Sequence, residues 1–199
     1  MNGLPKALMY FCTVQFIRRT IDLILFTSIY AACCAMGLCM ATEKLITLHN
    51  PPLFSTLHLL VFGSTLFVYN ARYAVRWLHK GQGQYHPPYK WWYLAAFCAG
   101  AVMTTISMTM LPLPVVLLSV IMGLLSFAYS LPLLPFGNKK RLREYGILKI
   151  LVLTGVWTVA TSVLPIMNLG QNPLSYPFEL LLRFALIFAL CILFDIRDM

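Results

Sequence analysis

The chain has 199 residues; 60% of them are hydrophobic and only 11% are charged, and the mean hydropathy is +0.78. Because soluble domains are about 45–50% apolar and about 25% charged, this composition excludes an ordinary soluble domain, and its hydrophobicity excludes intrinsic disorder. The net charge of +9 does not require nucleic acid as a partner, because Lys and Arg collect in the cytoplasmic loops of membrane proteins. We therefore expect an integral membrane protein that spans the bilayer several times.

The apolar segments predict helices, because each is long and continuous, whereas a membrane β-barrel would show alternating segments of about ten residues. Six spans are predicted, and in chain order they cover residues 21–40, 53–78, 91–111, 113–131, 146–167 and 178–194. Pro112 and Pro114 leave only a tight turn between the third and fourth spans, so we expect these two to form an antiparallel pair. The expected fold class is all-α: a polytopic integral membrane helical bundle with six transmembrane helices in one domain, residues 1–199.

The basic residues predict which ends of the spans face the cytoplasm. Thirteen of the 15 Lys and Arg lie in the N-terminal tail, around the connections after the second and fourth spans, or at the C-terminal end; Lys44 and Arg183 are the other two. The positive-inside rule then places the N-terminus in the cytoplasm. The ends of the second, fourth and sixth spans share that side, and we expect the inner membrane of a bacterium.

Polar residues are few near the spans, and most of them occur at two of these cytoplasmic ends. Asn70, Arg72 and Arg76 end the second span, and Asp195 and Asp198, three residues apart on one helix face, end the sixth. Two carboxylates facing a basic cluster are suited to Mg²⁺ and a phosphorylated ligand. Interfacial side chains that reach toward water explain the same spacing without any site, and spacing alone favours that explanation.

Three segments resemble the UbiA family of membrane prenyltransferases. Residues 123–132, which end in Tyr-Ser-Leu-Pro and precede Lys139-Lys140, resemble that family's region between its fourth and fifth helices. The sequence Asp195-Ile-Arg-Asp198 resembles the start of its second aspartate motif, DxxxD. The sequence Val68-Tyr69-Asn70 resembles the approach to its first motif, NDxxDxxxD. The resemblance extends over most of the chain.

The resemblance implies a helical bundle with a cavity open to the membrane, and transfer of a prenyl group from a polyprenyl diphosphate to an acceptor. Asp195 and Asp198 would help to hold Mg²⁺, which neutralises charge on the leaving diphosphate. The residues assigned to the substrate are Asn70, Arg72, Arg76, Tyr129, Lys139 and Lys140. For the two arginines we favour contact with lipid headgroups over contact with diphosphate, and for most basic residues of the 139–143 loop the positive-inside bias is a sufficient explanation.

The chain departs from the family pattern in ways that put catalysis in doubt. Ala71, Ala74 and Leu78 occupy the positions of the first motif's carboxylates. Asp198 matches the opening Asp of the second motif, but the sequence stops at Met199, so the partner Asp is expected to lie beyond it. The family has about nine helices, whereas this length supports about six. We therefore expect an incomplete relative that is inactive as it stands. The alternative is a non-catalytic membrane protein that binds an isoprenoid or another lipid, or acts as a scaffold.

The remaining candidates have simpler explanations. His58 is expected to hydrogen-bond between helices and not to ligate a metal, and Glu179 and Arg183, four residues apart, are expected to pair within the sixth span. The six cysteines lie in apolar surroundings without CxxC spacing and are expected to be packing residues. A transporter ranks last, because it would need charged groups near mid-membrane and only His58 approaches that position.

Overall fold

The structure, a computed structural model, describes residues 27–48, 54–79, 90–130 and 146–197 and the single positions 15, 20, 21, 24 and 52. Within these residues it is all-helical and has no strand. The helices are α1 (Ile29–Thr47), α2 (Thr56–His79), α3 (Lys90–Met110), α4 (Leu113–Ser130), α5 (Gly146–Thr158), α6 (Leu164–Asn168) and α7 (Pro177–Arg197). A π-helical turn (Val159–Val163) joins α5 to α6, and a 3₁₀ turn (Pro173–Ser175) precedes α7.

Three helical stretches in the described part of the chain are long and apolar enough to cross a membrane: Ile29–Thr47, Trp91–Met110 and Ile150–Asn168. Two further apolar helical stretches, Thr56–Ala71 and Leu113–Ala128, are shorter. Large apolar side chains are exposed on α3, α4 and α7, among them Ile106, Leu124 and Leu186, as expected of lipid-facing surfaces. These features support an all-helical membrane protein.

The first predicted span was placed too early in the chain. Span one was expected to end at residue 40, but α1 continues through Glu43 and Lys44 to Thr47. The helix continues because Glu43 is buried in the bundle and accepts a hydrogen bond there, so its charge does not mark a loop. Leu48 then adopts a left-handed backbone conformation (φ 57°), which ends the helix.

Two glycines bring α2 and α3 close together in an antiparallel pair. A Cβ on Gly63 would lie 2.9 Å from the Cβ of Met103, and one on Gly100 would lie 2.7 Å from the backbone nitrogen of Phe67. Such small residues allow helix backbones to approach within a membrane, where packing and not the hydrophobic effect drives association. The ring of Phe67 also stacks on that of Phe97, with centroids 4.8 Å apart.

The expected pairing of the third and fourth spans is wrong. The tight turn at residues 111–112 does join α3 to α4, but α3 packs mainly against α2, and α4 packs against α2, α5 and α6. The physical reason is a cavity between them, lined by Thr104 and Met108 of α3 and by Ser119 and Phe127 of α4.

The apolar core lies toward one end of the bundle, where α1 ends and α2 begins. Cys39, Leu57, Leu60, Val115 and Leu164 are buried there against one another. The buried residues of this cluster come from four helices, α1, α2, α4 and α6, and side chains of α3 and α5, among them Met108 and Trp157, pack against it.

Candidate functional site

A cavity of about 430 Å³ lies between α1, α2, α3, α4, α5 and α6. Its wall is mainly apolar and includes Leu60, Phe67, Phe127, Trp157 and Leu164. Cavities of about 300–1,000 Å³ with mostly apolar walls are the usual form of small-molecule sites in proteins. The volume and the wall therefore suit a hydrocarbon ligand.

The hydroxyl groups in the cavity wall do not make it a polar site. Each of five such hydroxyls donates its hydrogen to a carbonyl of its own helix, at 2.7 to 3.2 Å: Ser64, Thr65, Thr104, Ser119 and Ser126. A hydroxyl has one hydrogen, so these groups offer only lone pairs to the cavity. An anionic group would find no hydrogen-bond donor among these five hydroxyls, whereas a hydrocarbon chain needs none.

Asn70 lies beside one end of this cavity. It is fully buried, and its Nδ2 donates to the carbonyl of Thr27 at 2.9 Å and to that of Leu66 at 2.8 Å. Both amide hydrogens are thus used, and Oδ1 has no hydrogen-bond partner in the structure. The residues next to it along the chain, Val68 and Tyr69, line the cavity. Asn70 therefore presents a buried acceptor near that end.

The other predicted site residues are not placed by the structure. Helix α2 passes through positions 72 and 76, and α7 through position 195, so the second and sixth predicted spans are helical where those residues occur. The side chains that lie outside the described residues are those of Arg72, Arg76, Tyr129, Lys139, Lys140, Asp195 and Asp198. The proposed meeting of Asn70 with Asp195 and Asp198 stays a prediction.

A second set of buried polar groups lies at the opposite end of the helices, and sequence analysis missed most of it. Nε2 of His58 lies 3.0 Å from Oε2 of Glu43, and both side chains are buried between α1 and α2. The expected role of His58 in joining two helices is confirmed. The sequence does carry a signal for this site, because Ser55 precedes His58 by three residues, the spacing of an N-terminal capping box.

Ser55 and His58 form a reciprocal cap at the start of α2. The backbone N–H of His58 donates to Oγ of Ser55 at 3.2 Å, and the backbone N–H of Ser55 donates to Nδ1 of His58 at 3.3 Å. Histidine takes the position that Glu or Gln occupies in the common capping box. Since Nδ1 accepts a hydrogen bond, the ring proton is on Nε2, which donates to Glu43.

Arg183 of α7 extends this polar set. Its Nη2 donates to Oγ1 of Thr42 at 2.9 Å and to Oε1 of Glu179 at 3.2 Å, which confirms the predicted pair within the sixth span. The hydroxyl of Thr42 in turn donates to the carbonyl of Thr161 at 2.8 Å. This carbonyl needs an outside donor because Pro165, four residues later, has no N–H. The π-helical turn occurs at the same place.

Cys39, Glu43 and His58 place one sulfur, one oxygen and one nitrogen within 4.8 Å of one another, close enough for a metal site. The cap argues against that use, because Nε2 would have to lose its proton to bind a metal and Nδ1 would then have to donate toward the N–H of Ser55. Mg²⁺ in particular prefers oxygen ligands. A cysteine nucleophile is also unsuited, because Cys39 is fully buried and both ring nitrogens already have partners.

Comparison with protein-family models, with curated proteins and with solved structures finds no match for this chain. The functional proposal is therefore based on the fold and the cavity, and the resemblance to the UbiA prenyltransferases rests on the sequence motifs alone.

Proposed function

We propose that this protein is a six-span bundle of a bacterial inner membrane, with its N-terminus in the cytoplasm, that holds the hydrocarbon chain of an isoprenoid lipid between its helices. The cavity of about 430 Å³ carries the proposal. Its wall is apolar, and five of its hydroxyls are committed to their own helices. A branched or unsaturated hydrocarbon can fill such a space without leaving a polar group unpaired.

The polar head of the lipid is proposed to lie at the Asn70 end. There the cavity reaches Ser28 and Tyr69, and α2 continues through the positions of two arginines. Basic side chains at a helix end attract anionic headgroups. The candidate ligands are a polyprenyl diphosphate, as the UbiA resemblance implies, or another isoprenoid lipid, with membrane lipids at the arginines.

Binding without prenyl transfer is the version that the residues support better. Ala71 is buried beside Asn70, at a position where the resembled family has a metal-binding carboxylate. At that end, Oδ1 of Asn70 is a buried oxygen without a hydrogen-bond partner. One amide oxygen and neutral hydroxyls do not supply the carboxylates by which proteins usually hold Mg²⁺. Prenyl transfer would need the missing carboxylates from elsewhere.

A pair of matched glycine substitutions tests the proposal. Gly123 lines the cavity and has open space where a side chain would be, and Gly37 has the same open space but faces outward on α1. With the purified chain in detergent, we expect tritiated farnesol to bind, Gly123→Leu to weaken binding about tenfold or more by filling the cavity, and Gly37→Leu to leave it unchanged.

The same assay separates the two ligand classes. If the metal site is incomplete, chelation of Mg²⁺ should leave the binding of farnesyl diphosphate unchanged. Tighter binding that chelation of Mg²⁺ abolishes would favour the transferase instead. If farnesol does not bind the wild-type chain, or if Gly37→Leu and Gly123→Leu weaken binding equally, the cavity is not a lipid site.

A further inference from the structure

Three buried hydroxyls follow one another along α5 and the π-helical turn after it, and together they form the hydroxyl row: Thr154, Thr158 and Ser162. All three side chains are buried, and their oxygens have no hydrogen-bond partner in the part of the chain that the structure describes. Residues four apart share one face of a helix. A buried polar group without a partner costs free energy, so the row calls for a partner that these helices do not supply.

Other hydroxyls of the bundle show how such a group is usually satisfied. Thr161, within the same π-helical turn, donates to the carbonyl of Trp157 at 2.8 Å. Thr104 and Ser119 likewise donate to carbonyls of their own helices, both at 2.7 Å. This bond to an earlier carbonyl of the same helix is open to any helical Ser or Thr. The hydroxyl row does not make it, so its oxygens are available to a molecule between the helices.

The hydroxyl row faces α7 and not the lipid cavity. The residues of α5 and its π-helical turn that line the cavity lie on the other face: Val152, Leu153, Val156, Trp157 and Ala160. Helix α5 packs chiefly against α7. The thiol of Cys191 on α7 lies close to the hydroxyl of Thr154. Opposite faces of one helix thus border two different environments.

The Ser162 end of the row adjoins the polar set around Arg183. Ser162 directly follows Thr161, whose carbonyl accepts from Thr42, and the hydroxyl of Thr42 accepts from Arg183. Arg183 makes its bonds to Thr42 and to Glu179 through Nη2. A guanidinium has N–H groups on its two other nitrogens as well, and these can donate to water at this end of the row.

Water is the ligand that the hydroxyl row fits. The row has no charge, and each hydroxyl offers one hydrogen and two lone pairs, which suits a neutral molecule that both donates and accepts. Four residues rise about 6 Å along a helix, and two O–H···O bonds of about 2.8 Å span about 5.6 Å. One water molecule therefore fits between successive hydroxyls. A Cβ on Gly155, three residues before Thr158, would meet no atom within 4 Å, so there is room beside the row.

We propose that the hydroxyl row binds a file of water molecules between α5 and α7, leading from Cys191 to the polar set of Thr42 and Arg183. Helix α5 then separates an apolar cavity, which suits a hydrocarbon, from a hydrated seam through which water reaches the buried guanidinium of Arg183. This inference is independent of the lipid proposal, because the three hydroxyls lie outside the cavity.

Nuclear Overhauser transfer from water to threonine methyl groups tests the seam. The sample is the full chain with ¹³C-methyl-labelled threonine in perdeuterated detergent micelles. We expect water contacts at the methyl groups of Thr154 and Thr158. Thr104 is the matched control, because it lines the lipid cavity and its hydroxyl is bonded to its own helix. The methyl group of Thr104 should show no contact with water.

Two variants of the middle residue make the test specific. Thr158→Val removes the hydroxyl at nearly constant size, so the water contact at Thr154 should be lost and the midpoint of denaturant unfolding should fall. Thr158→Ser keeps the hydroxyl and should keep the contact. If no water were bound, Thr158→Val would instead relieve an unpaired polar group and raise the midpoint.

Four results would overturn the proposal. They are a wild-type chain in which Thr154 and Thr158 show no water contact, an equal water contact at Thr104, a raised midpoint in Thr158→Val, and loss of the Thr154 contact in both variants. The first and second need no variant, so the proposal stays testable even if a substitution prevents folding.

Discussion

Two sets of buried polar side chains, one near each end of the helical bundle, differ in their hydrogen bonding. At the end formed by Glu43, His58 and Arg183, each of these side chains has a polar partner on another residue. At the other end, Asn70 donates both amide hydrogens to backbone carbonyls, and its buried Oδ1 has no hydrogen-bond partner. A satisfied network holds helices in one arrangement, whereas an unsatisfied acceptor next to a cavity leaves room for a ligand.

The buried ionisable side chains of this helical bundle lie close to the ends of its helices. Glu43 lies one turn before the end of α1, and His58 is the third residue of α2. Both positions are close to helix ends, where backbone groups such as the Ser55 N–H are free to contribute.

The largest expected effect concerns the side of the membrane on which each end of the bundle lies, because labelling from outside gives an all-or-none result for the predicted topology. In a cysteine-free variant, Asn172→Cys should react with a membrane-impermeant maleimide added from outside, because residues 168–177 are predicted to connect two spans on the non-cytoplasmic side. Lys140→Cys, in the basic loop, should react only after the membrane is opened. The opposite labelling pattern would exchange the two ends and remove the proposed cytoplasmic position of the lipid head.

The next largest effect is expected from His58→Leu. The substitution leaves the carboxylate of Glu43 buried without its hydrogen bond and removes the side-chain acceptor from the cap, so it should lower the free energy of unfolding by about 3–5 kcal/mol. His58→Gln keeps a donor for Glu43 and an acceptor for Ser55, and it should cost far less. Denaturant titration in detergent micelles measures both, and equal losses would show that the hydrogen bonds contribute little.

An intermediate effect is expected from Thr42→Val, which removes the donor to the Thr161 carbonyl and the acceptor from Arg183. The expected cost is about 1–3 kcal/mol. Thr105→Val is the control, since that hydroxyl is exposed and bonds only its own helix. Its cost should stay within about 0.5 kcal/mol.

The variant Pro165→Ala sharpens this result, because it restores an N–H four residues after Thr161. If the proline is the reason that Thr42 is needed, a double-mutant cycle should show Thr42→Val costing about 1 kcal/mol less in the Pro165→Ala background. Additive effects would mean that the π-helical turn has another cause.

The smallest change is expected at the other end. Asn70→Leu removes the donor to Thr27 but also removes a buried oxygen that has no partner, and the two effects oppose each other. The free energy of unfolding should therefore change by about 1 kcal/mol or less. A loss as large as that of His58→Leu would show that Asn70 belongs to the structural framework, and the contrast between the two ends would disappear.

The sequence alone determined the helical class and nearly all helix boundaries, because both depend on local properties: long apolar runs, breakers such as Pro112, and a few polar end residues. The pairing of Glu179 with Arg183 was equally predictable, since residues four apart on a helix are neighbours. The exception was α1, which was expected to end at residue 40 but continues through Glu43, whose partner His58 is not local in the chain.

Only the tertiary structure decided which helices pack together and where space remains. The tight turn at Pro112 predicted a hairpin of α3 and α4, but Gly63 and Gly100 bring α3 against α2 and a cavity separates it from α4. The polar set at Glu43 depends on residues from four parts of the chain, and no spacing rule joins Thr42 to Thr161 or Arg183. Contacts between distant residues follow from how whole helix surfaces fit, which a linear pattern of residues does not contain.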